Sequence, residues 1–115
     1  MRPGPVARGD VWQIDFGSTV GHEQAGVRPG LILSAGIFNE GPAGLVIAIP
    51  MTTRDKGIST HVKLDPPEGG LDAASYAKCE EIRSISKERL LRRRGRVSAA
   101  TLRAIGVRVL DLLDL

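Results

Sequence analysis

Three short stretches of the sequence hold the residue types that could act on a phosphate ester. They cover residues 21–29, 49–53 and 79–85, and Lys78 stands just before the third. The polar candidates are His22, Glu23, Gln24, Arg28, Thr52, Thr53, Lys78, Glu80 and Arg83. An arginine offers phosphate a planar fork of donors and keeps its charge at any physiological pH, and a threonine hydroxyl can add a neutral hydrogen bond. Histidine and carboxylate side chains can move protons. The set therefore suits acid–base chemistry at a phosphate.

Residue type alone ranks these candidates. Arg28 comes first as a donor to charge on phosphate oxygens, although its high pKa makes it a poor base. His22 titrates near neutral pH, and Glu23 or Glu80 would be the base if His22 lies too far away. Structural interpretations compete with these roles, because Arg28 precedes a proline and could simply enter a strand, and His22 sits in a polar loop. Thr53 suits a strand on steric grounds alone.

Residues that bind metals are sparse in this sequence. The two histidines, His22 and His61, are far apart, and Cys79 is the single cysteine. One cysteine cannot form an internal disulfide or, by itself, a zinc site, and the aspartates show no spacing that would gather paired ions. We expect neither a metal nor another cofactor. Cys79 itself alternates with Ala77 and is predicted to be a small core residue.

The elements that must position the polar candidates are mostly short strands. Residues 11–16 alternate with the period of a half-buried strand, so we expect Trp12 in the core. Short strands are also predicted at 31–33, 45–49, 61–64 and 76–84, separated by turns rich in glycine and proline. Short strands at this density indicate a small barrel or a strongly curved sheet rather than alternating strands and helices.

The end of the chain has a different period. Ser98 can cap a helix on which Leu102, Ile105, Val109 and Leu112 share one face, and this helix should pack on the sheet. The predicted fold class is therefore mainly β with a C-terminal α-helix. Residues 1–7 contain two prolines and a glycine and are predicted to be a flexible tail. One domain is expected over residues 8–115.

Charge is distributed unevenly along the chain. The 16 basic and 13 acidic residues give a net charge of +3, but residues 83–108 hold nine basic residues and one acidic residue. That segment could bind a polyanion or an acidic protein, or it could be a solvated face. Its cluster at residues 92–96 could hold phosphates or form a solvated turn. No apolar run is long enough to span a bilayer and no signal-peptide segment is visible, so we expect a cytosolic protein.

The three stretches, together with Arg8-Gly9-Asp10-Val11-Trp12, resemble the MazF/PemK family of toxin endoribonucleases, which includes the Kid toxin. The pattern G-x-E-Q-x-x-x-R-P at residues 21–29 is the most specific part, and the resemblance runs from residue 8 to the end of the chain. It implies an SH3-like barrel of the CcdB type with a C-terminal helix, and a homodimer. It also implies metal-independent cleavage of single-stranded mRNA within a short sequence, in which a 2′-hydroxyl attacks the adjacent phosphate and leaves a cyclic phosphate and a 5′-hydroxyl. A cognate MazE-like antitoxin with an acidic, disordered segment would fill the RNA groove.

The resemblance assigns roles in two ways. Arg28 and Thr52 match the catalytic arginine and threonine of the family. The Kid branch instead emphasises a histidine and a basic-x-acid pair, which His22, Lys78 and Glu80 match. The basic member is arginine in Kid and lysine here, and a lysine cannot offer phosphate a planar two-pronged contact. Both assignments stay open, and the remaining candidates for RNA contact are Glu23, Gln24, Thr53 and Arg83.

Two other functions compete with RNA cleavage. CcdB toxins share the fold and bind DNA gyrase, so the chain could be a non-catalytic inhibitor. Glu23, Gln24, Arg28 and Thr52 argue against that alternative, because a gyrase-binding surface would not require an RNA-cleaving set. A catalytically weak RNA-binding module is the third possibility, and it is favoured only if Lys78 in place of arginine is damaging.

Overall fold

Seven antiparallel strands form one sheet, and a long helix packs against it. The computed structural model describes residues 5–18, 20–21 and 23–115. The strands are β1 Asp10–Asp15, β2 Val27–Ile32, β3 Leu45–Thr52, β4 His61–Leu64, β5 Ser75–Lys78, β6 Arg83–Ser86 and β7 Leu90–Arg96. The helices are α1 Gly36–Asn39 and α2 Ala99–Leu113. The predicted fold class, mainly β with a C-terminal helix, is confirmed.

The strand order is β4-β5-β3-β2-β1-β7, and β6 pairs with β3 beside β5. The predicted strand at residues 76–84 is wrong, because a 3₁₀ turn at Cys79–Glu81 divides it into β5 and β6. Met51 of β3 pairs with Ala77 and Ala48 pairs with Arg83, so three residues along β3 face six along the other segment. The turn takes up this difference.

The apolar residues of β1, β2 and β3 form two clusters. The first holds Val11, Leu31, Ile49 and Met51 and includes Ile105 and Val109 of α2. The second holds Trp12, Ile14, Phe16, Ile32 and Val46. Successive residues alternate between the clusters because successive side chains of a strand point to opposite faces. Trp12 and Cys79 are buried, as predicted.

Helix α2 begins where the sequence predicts it. The Ser98 hydroxyl oxygen accepts a hydrogen bond from the Thr101 backbone nitrogen at 3.1 Å, which satisfies one free donor of the first turn. Ile105 and Val109 are buried, but Leu112 is 43% exposed. The expectation that Leu112 packs on the sheet is therefore wrong, because Val109 is the last buried residue of the helix. Among the described residues, no helix is long and apolar enough to cross a membrane.

Order begins before residue 8, contrary to the expectation from the sequence. Val6 is buried, and Asn39 at the end of α1 donates its side-chain amide to the Val6 carbonyl at 3.0 Å. The Val6 backbone nitrogen donates to Glu40 Oε1 at 3.2 Å. The sequence did not predict α1, which supplies these partners, and residues 1–4 of the predicted tail lie outside the described residues.

Residues 92–96 belong to β7 and do not form a turn. Beside this strand, the backbone of a 3₁₀ turn at Glu68–Gly70 approaches closely. A Cβ atom on Gly70, whose φ is +66°, would lie 2.1 Å from the Arg94 carbonyl oxygen. The contact therefore requires glycine, and Arg94 reinforces it by donating to the Gly70 carbonyl at 3.0 Å.

Candidate active site

Gln24, in the loop between β1 and β2, is held by three side chains that come from the β5–β6 segment. Its backbone nitrogen donates to Glu81 Oε1 at 2.5 Å, and its backbone carbonyl accepts from Arg83 Nη2 at 2.6 Å. Lys78 Nζ donates to its side-chain oxygen at 3.3 Å. These contacts fix the loop against the sheet although some 54 residues or more separate the partners in sequence.

Lys78 and Glu81 form a buried ion pair. Their charged atoms are 2.5 Å apart, and their side chains are 4% and 13% exposed. Glu81 therefore neutralises much of the positive charge of Lys78 in the free protein. Glu81 was not among the candidates drawn from the sequence. The signal that could have identified the pair is an acid three residues after a lysine, across a short turn.

Arg28 and Thr52 lie on neighbouring strands. The β2–β3 pairing ends at Gly30 and Pro50, which lie two residues from Arg28 and Thr52 respectively. Arg28 is exposed, and its Nε donates to the Ala25 carbonyl at 3.3 Å. With the Gln24 amide in its other orientation, the amide oxygen accepts from Arg28 Nε at 2.9 Å and from Nη2 at 3.2 Å. The guanidinium is thus held beside Gln24 and stays open to solvent.

Thr52 is buried, whereas Thr53 is exposed just after the end of β3. The Thr52 hydroxyl accepts from the Arg54 backbone nitrogen at 3.2 Å. Accepting this bond leaves the hydroxyl hydrogen available to a second partner. His22, the remaining proton-transfer candidate, lies outside the described residues.

Glu80 is held by donors on both carboxylate oxygens. Thr60 donates its hydroxyl to Oε1 at 2.8 Å, and His61 Nε2 lies 2.9 Å from Oε2. Burial by itself would raise the pKa of Glu80, but the hydrogen bonds from His61, its own backbone and Thr60 lower the pKa below its usual range. Glu80 is therefore a carboxylate at neutral pH, and its partner is His61 rather than Lys78, the other member of the motif.

Arg83 anchors the loop from a second side. Its guanidinium carbon lies 4.7 Å from the centre of the Phe16 ring, and Nη1 lies 3.7 Å from Glu23 Oε2. An arginine stacked on an aromatic face loses rotational freedom. The structure therefore gives Arg83 a supporting position beside Glu23 and Gln24, with 23% of its side chain exposed.

An open cleft of about 390 Å³ lies beside these groups. Its lining residues come from the loop after β1, the loop after β3 and the β5–β6 turn, and they are Glu23, Lys56, Ile58, Lys78, Glu80 and Glu81. Gln24 contacts Lys78, one of these lining residues, and in its other amide orientation it accepts from Arg28. Within the described ranges, no three histidine, cysteine, aspartate or glutamate side chains converge as metal ligands would.

The fold and the cleft define a small β-sheet protein in which a buried lysine and a fixed carboxylate line one cleft, and Gln24, the partner of that lysine, also neighbours an exposed arginine. Such a set can bind a phosphodiester and accept a proton beside it. Residues 7–113 match the family described as PemK-like, MazF-like toxin of type II toxin-antitoxin system. The chain belongs to this toxin family, as the resemblance predicted.

Similar proteins are known from several bacteria. Endoribonuclease EndoA of Bacillus subtilis is 40% identical over 86 residues, covering 74% of each chain. Endoribonuclease MazF9 of Mycobacterium tuberculosis is 36% identical over 102 residues, covering 84% of this chain and 86% of the relative. The crystal structure of MazF from Deinococcus radiodurans matches with a TM-score of 0.82 at 31% identity, covering 96% of this chain and 97% of that one. An endoribonuclease from a mycobacterial species, in complex with its cognate antitoxin, matches with a TM-score of 0.77 at 27% identity, covering 97% and 96%.

Proposed function

We propose that this chain is a toxin endoribonuclease that cuts single-stranded mRNA within a short sequence and is neutralised by a cognate antitoxin. The observation that carries the proposal is the cleft lined by the Glu80 carboxylate and Lys78, whose partner Gln24 also lies within hydrogen-bond distance of the exposed Arg28 guanidinium. Membership of the toxin family supports it, as do two relatives that are named endoribonucleases. A related endoribonuclease has been solved with its antitoxin, which supports the proposed partner.

The proposed reaction is an internal transesterification. The 2′-oxygen forms a bond to the adjacent phosphorus, its proton passes to Glu80, and the bond from phosphorus to the 5′-oxygen breaks. Arg28 donates to the phosphate oxygens on which negative charge grows, and Thr52 adds a neutral hydrogen bond. His22 is the proposed acid for the leaving 5′-oxygen, because imidazole titrates near neutral pH. In this scheme the Arg28/Thr52 and His22/Glu80 assignments describe different steps of one reaction.

Two observations favour cleavage over the alternatives. Two side chains fix the Glu80 carboxylate in the cleft and lower its pKa, an arrangement more typical of a reactive site than of a surface that only binds gyrase or RNA. The relatives at 40% and 36% identity are named as endoribonucleases, whereas the CcdB comparison rests on fold alone. We place the activity in the cytoplasm, where mRNA is found, and we expect a homodimer.

The test is to incubate the purified protein with a long mRNA in excess EDTA and to map the new 5′ ends. We expect cuts at a short recurring sequence, 5′-hydroxyl ends that a kinase labels directly, and no cutting where a single 2′-deoxy nucleotide stands immediately 5′ to the scissile phosphate. Activity that is lost in EDTA and restored by magnesium, or products with 5′-phosphates, would overturn this mechanism.

A further inference from the structure

His61, at the start of β4, is a buried histidine whose ring contacts the candidate base. Its side chain is 3% exposed, and Nε2 lies 2.9 Å from Glu80 Oε2. In the described part of the chain the other ring nitrogen, Nδ1, is buried and has no hydrogen-bond partner. The ring therefore makes its polar contact on one side only, towards the cleft.

This contact requires a hydrogen on Nε2. A ring with its only hydrogen on Nδ1 would turn the lone pair of Nε2 towards a carboxylate oxygen, and two acceptors would then face each other. A hydrogen on Nε2 avoids this conflict, so the network assigns a donor N–H from His61 to Glu80.

Strand pairing holds the ring in this place. His61 pairs with Lys78 in the β4–β5 ladder, and Glu80 follows Lys78 by two residues in the 3₁₀ turn. The backbone therefore fixes how far the imidazole stands from the carboxylate. Thr60, the residue before His61, donates to the other oxygen of Glu80, so consecutive residues of one segment bind both oxygens.

We infer that His61 is a positioning residue for RNA cleavage, which orients the Glu80 carboxylate in the cleft so that it can accept the proton of the 2′-hydroxyl. His61 does not touch the substrate and keeps its own proton throughout; the proton that leaves the 2′-oxygen is taken by Glu80. This inference rests on the proposed function, because it assigns His61 a part in that reaction.

The test compares three substitutions at one position. The amide nitrogen of glutamine can occupy the place of Nε2, whereas that of asparagine matches Nδ1, and leucine has no donor. We expect His61→Gln to keep kcat within about threefold, and His61→Asn and His61→Leu to lose roughly tenfold to a hundredfold, less than the roughly 10²- to 10⁴-fold of a complete general base, because Glu80 itself remains. KM should stay within about twofold in all of them, because no contact with bound RNA is removed.

A second variant and a control distinguish a loss of catalysis from a loss of folding. Thr60→Val removes the donor to the other carboxylate oxygen, and it should lower kcat less than His61→Leu does. Lys63→Met, at an exposed position of β4, should cut RNA as the wild type does. Binding of an RNA that carries 2′-deoxyribose at the cut site should be unchanged in each variant, which a folding defect would not allow.

The outcomes separate this inference from the proposed function. If the wild type does not cut RNA, the proposed function fails. If the wild type cuts, Glu80→Gln is inactive and His61→Leu and Thr60→Val are as active as the wild type, only the role of His61 is overturned. Equal loss in His61→Gln and His61→Asn also overturns it, because the position of the donor would then not matter.

Discussion

At the scale of single residues, the site is organised around the loop residue Gln24. Lys78, Glu81 and Arg83 bind its backbone or side chain from one direction, and the Arg28 guanidinium lies next to it from the other. Gln24 can offer its amide oxygen to either Lys78 or Arg28. The two cations can therefore contact the same neutral amide group.

Arg28→Ala should lower the cleavage rate by roughly a hundredfold or more, because it removes a donor to the charge that develops on the phosphate. Folding should be intact since the side chain is exposed. Arg28→Lys should restore little, because a lysine lacks the planar fork. Single-turnover cleavage of a short RNA measures the effect.

The matched control for Arg28 is Arg103→Ala, on the exposed side of α2, which should cut normally. Normal cleavage by Arg28→Ala, together with loss in Lys78→Ala or His22→Ala, would mean that the Kid-type residues carry the reaction and Arg28 does not.

The buried pair Lys78–Glu81 predicts a stability effect. Glu81→Leu should lower the free energy of unfolding by about 3 kcal/mol, because it leaves an uncompensated charge on Lys78. The double variant Lys78→Met/Glu81→Leu should recover much of this loss, since no buried charge then remains. Urea unfolding of the single and double variants measures it. The exposed pair Lys63–Asp65 is the control, and Lys63→Ala should change the free energy by less than about 1 kcal/mol.

The site could be predicted from the sequence as a set of residue types, but not as a set of partners. Arg28, Thr52 and Glu80 were found because they belong to local patterns. His61 and Thr60 bind Glu80 from positions 19 and 20 residues away, and no spacing rule connects such residues before the strands pair. Glu81 was missed for the same reason, because its contact with Gln24 depends on the turn that the sequence did not reveal.

At the scale of elements, the turn Cys79–Glu81 explains most of the site. It shifts the chain along β3 between β5 and β6, and it sends Glu80 towards Thr60 and Glu81 towards Gln24. The sequence predicted one strand here because neither glycine nor proline marks the break. Strand β7 was missed for another reason: its central arginines hide the alternation by which strands are recognised. Helix α2 was predicted because its cap and its period are both local.

The N-terminus of α2 predicts a pH-dependent contribution to stability. Glu68 Oε2 accepts from the Ser98 backbone nitrogen at 2.9 Å. Burial opposes the effect, but the hydrogen bonds from Ser98 and Thr101 lower the pKa of Glu68 from its usual 4.5. Because the folded pKa is the lower one, the stabilisation is present above about pH 4.5 and is lost as the pH falls through the folded value.

Glu68→Gln should therefore be less stable than the wild type at pH 7, by up to about 1 kcal/mol, and the difference should shrink below pH 4.5. Thermal unfolding at a series of pH values measures it. A difference that stays constant down to pH 2 would show that the charge of Glu68 plays no part. Ser98→Ala should cost about 1 kcal/mol at pH 7, since it removes the hydroxyl that caps the first turn of α2.

At the scale of the whole molecule, the positive charge is concentrated in the last third of the chain. The sequence pI is about 9.5, and β7 carries Arg92, Arg93, Arg94 and Arg96. Arg93 and Arg96 each lie within 3.6 Å of the buried carboxylate of Asp10, and Arg94 binds Asp72, so much of this charge is paired. Arg92 is exposed on the same strand. On this surface, some arginines are therefore paired with carboxylates of the protein itself, and others are available to an acidic partner.

Binding of the cognate antitoxin should weaken as salt concentration rises, because salt screens the attraction between an acidic segment and this positively charged surface. At 0.5 M salt the screening length is roughly 4 Å, and affinity should fall at least tenfold relative to 0.1 M. Titration calorimetry at the two concentrations measures it. Unchanged affinity would mean that apolar contacts dominate recognition.

Cys79 occupies the first position of the turn that forms the floor of the cleft, and it is the single cysteine of the chain. Burial, together with the neighbouring charge of Glu80, raises the pKa of its thiol to about 11, and no part of the residue is exposed to solvent. A thiol reagent at pH 8 can therefore modify it only after the turn moves away from the sheet. The modification rate of the unaltered protein thus reports how often the floor of the cleft opens, and comparison with the rate of complete unfolding separates local opening from global loss of structure. RNA or antitoxin bound over the cleft would slow that reaction, so this one thiol can follow occupancy of the site without an added label.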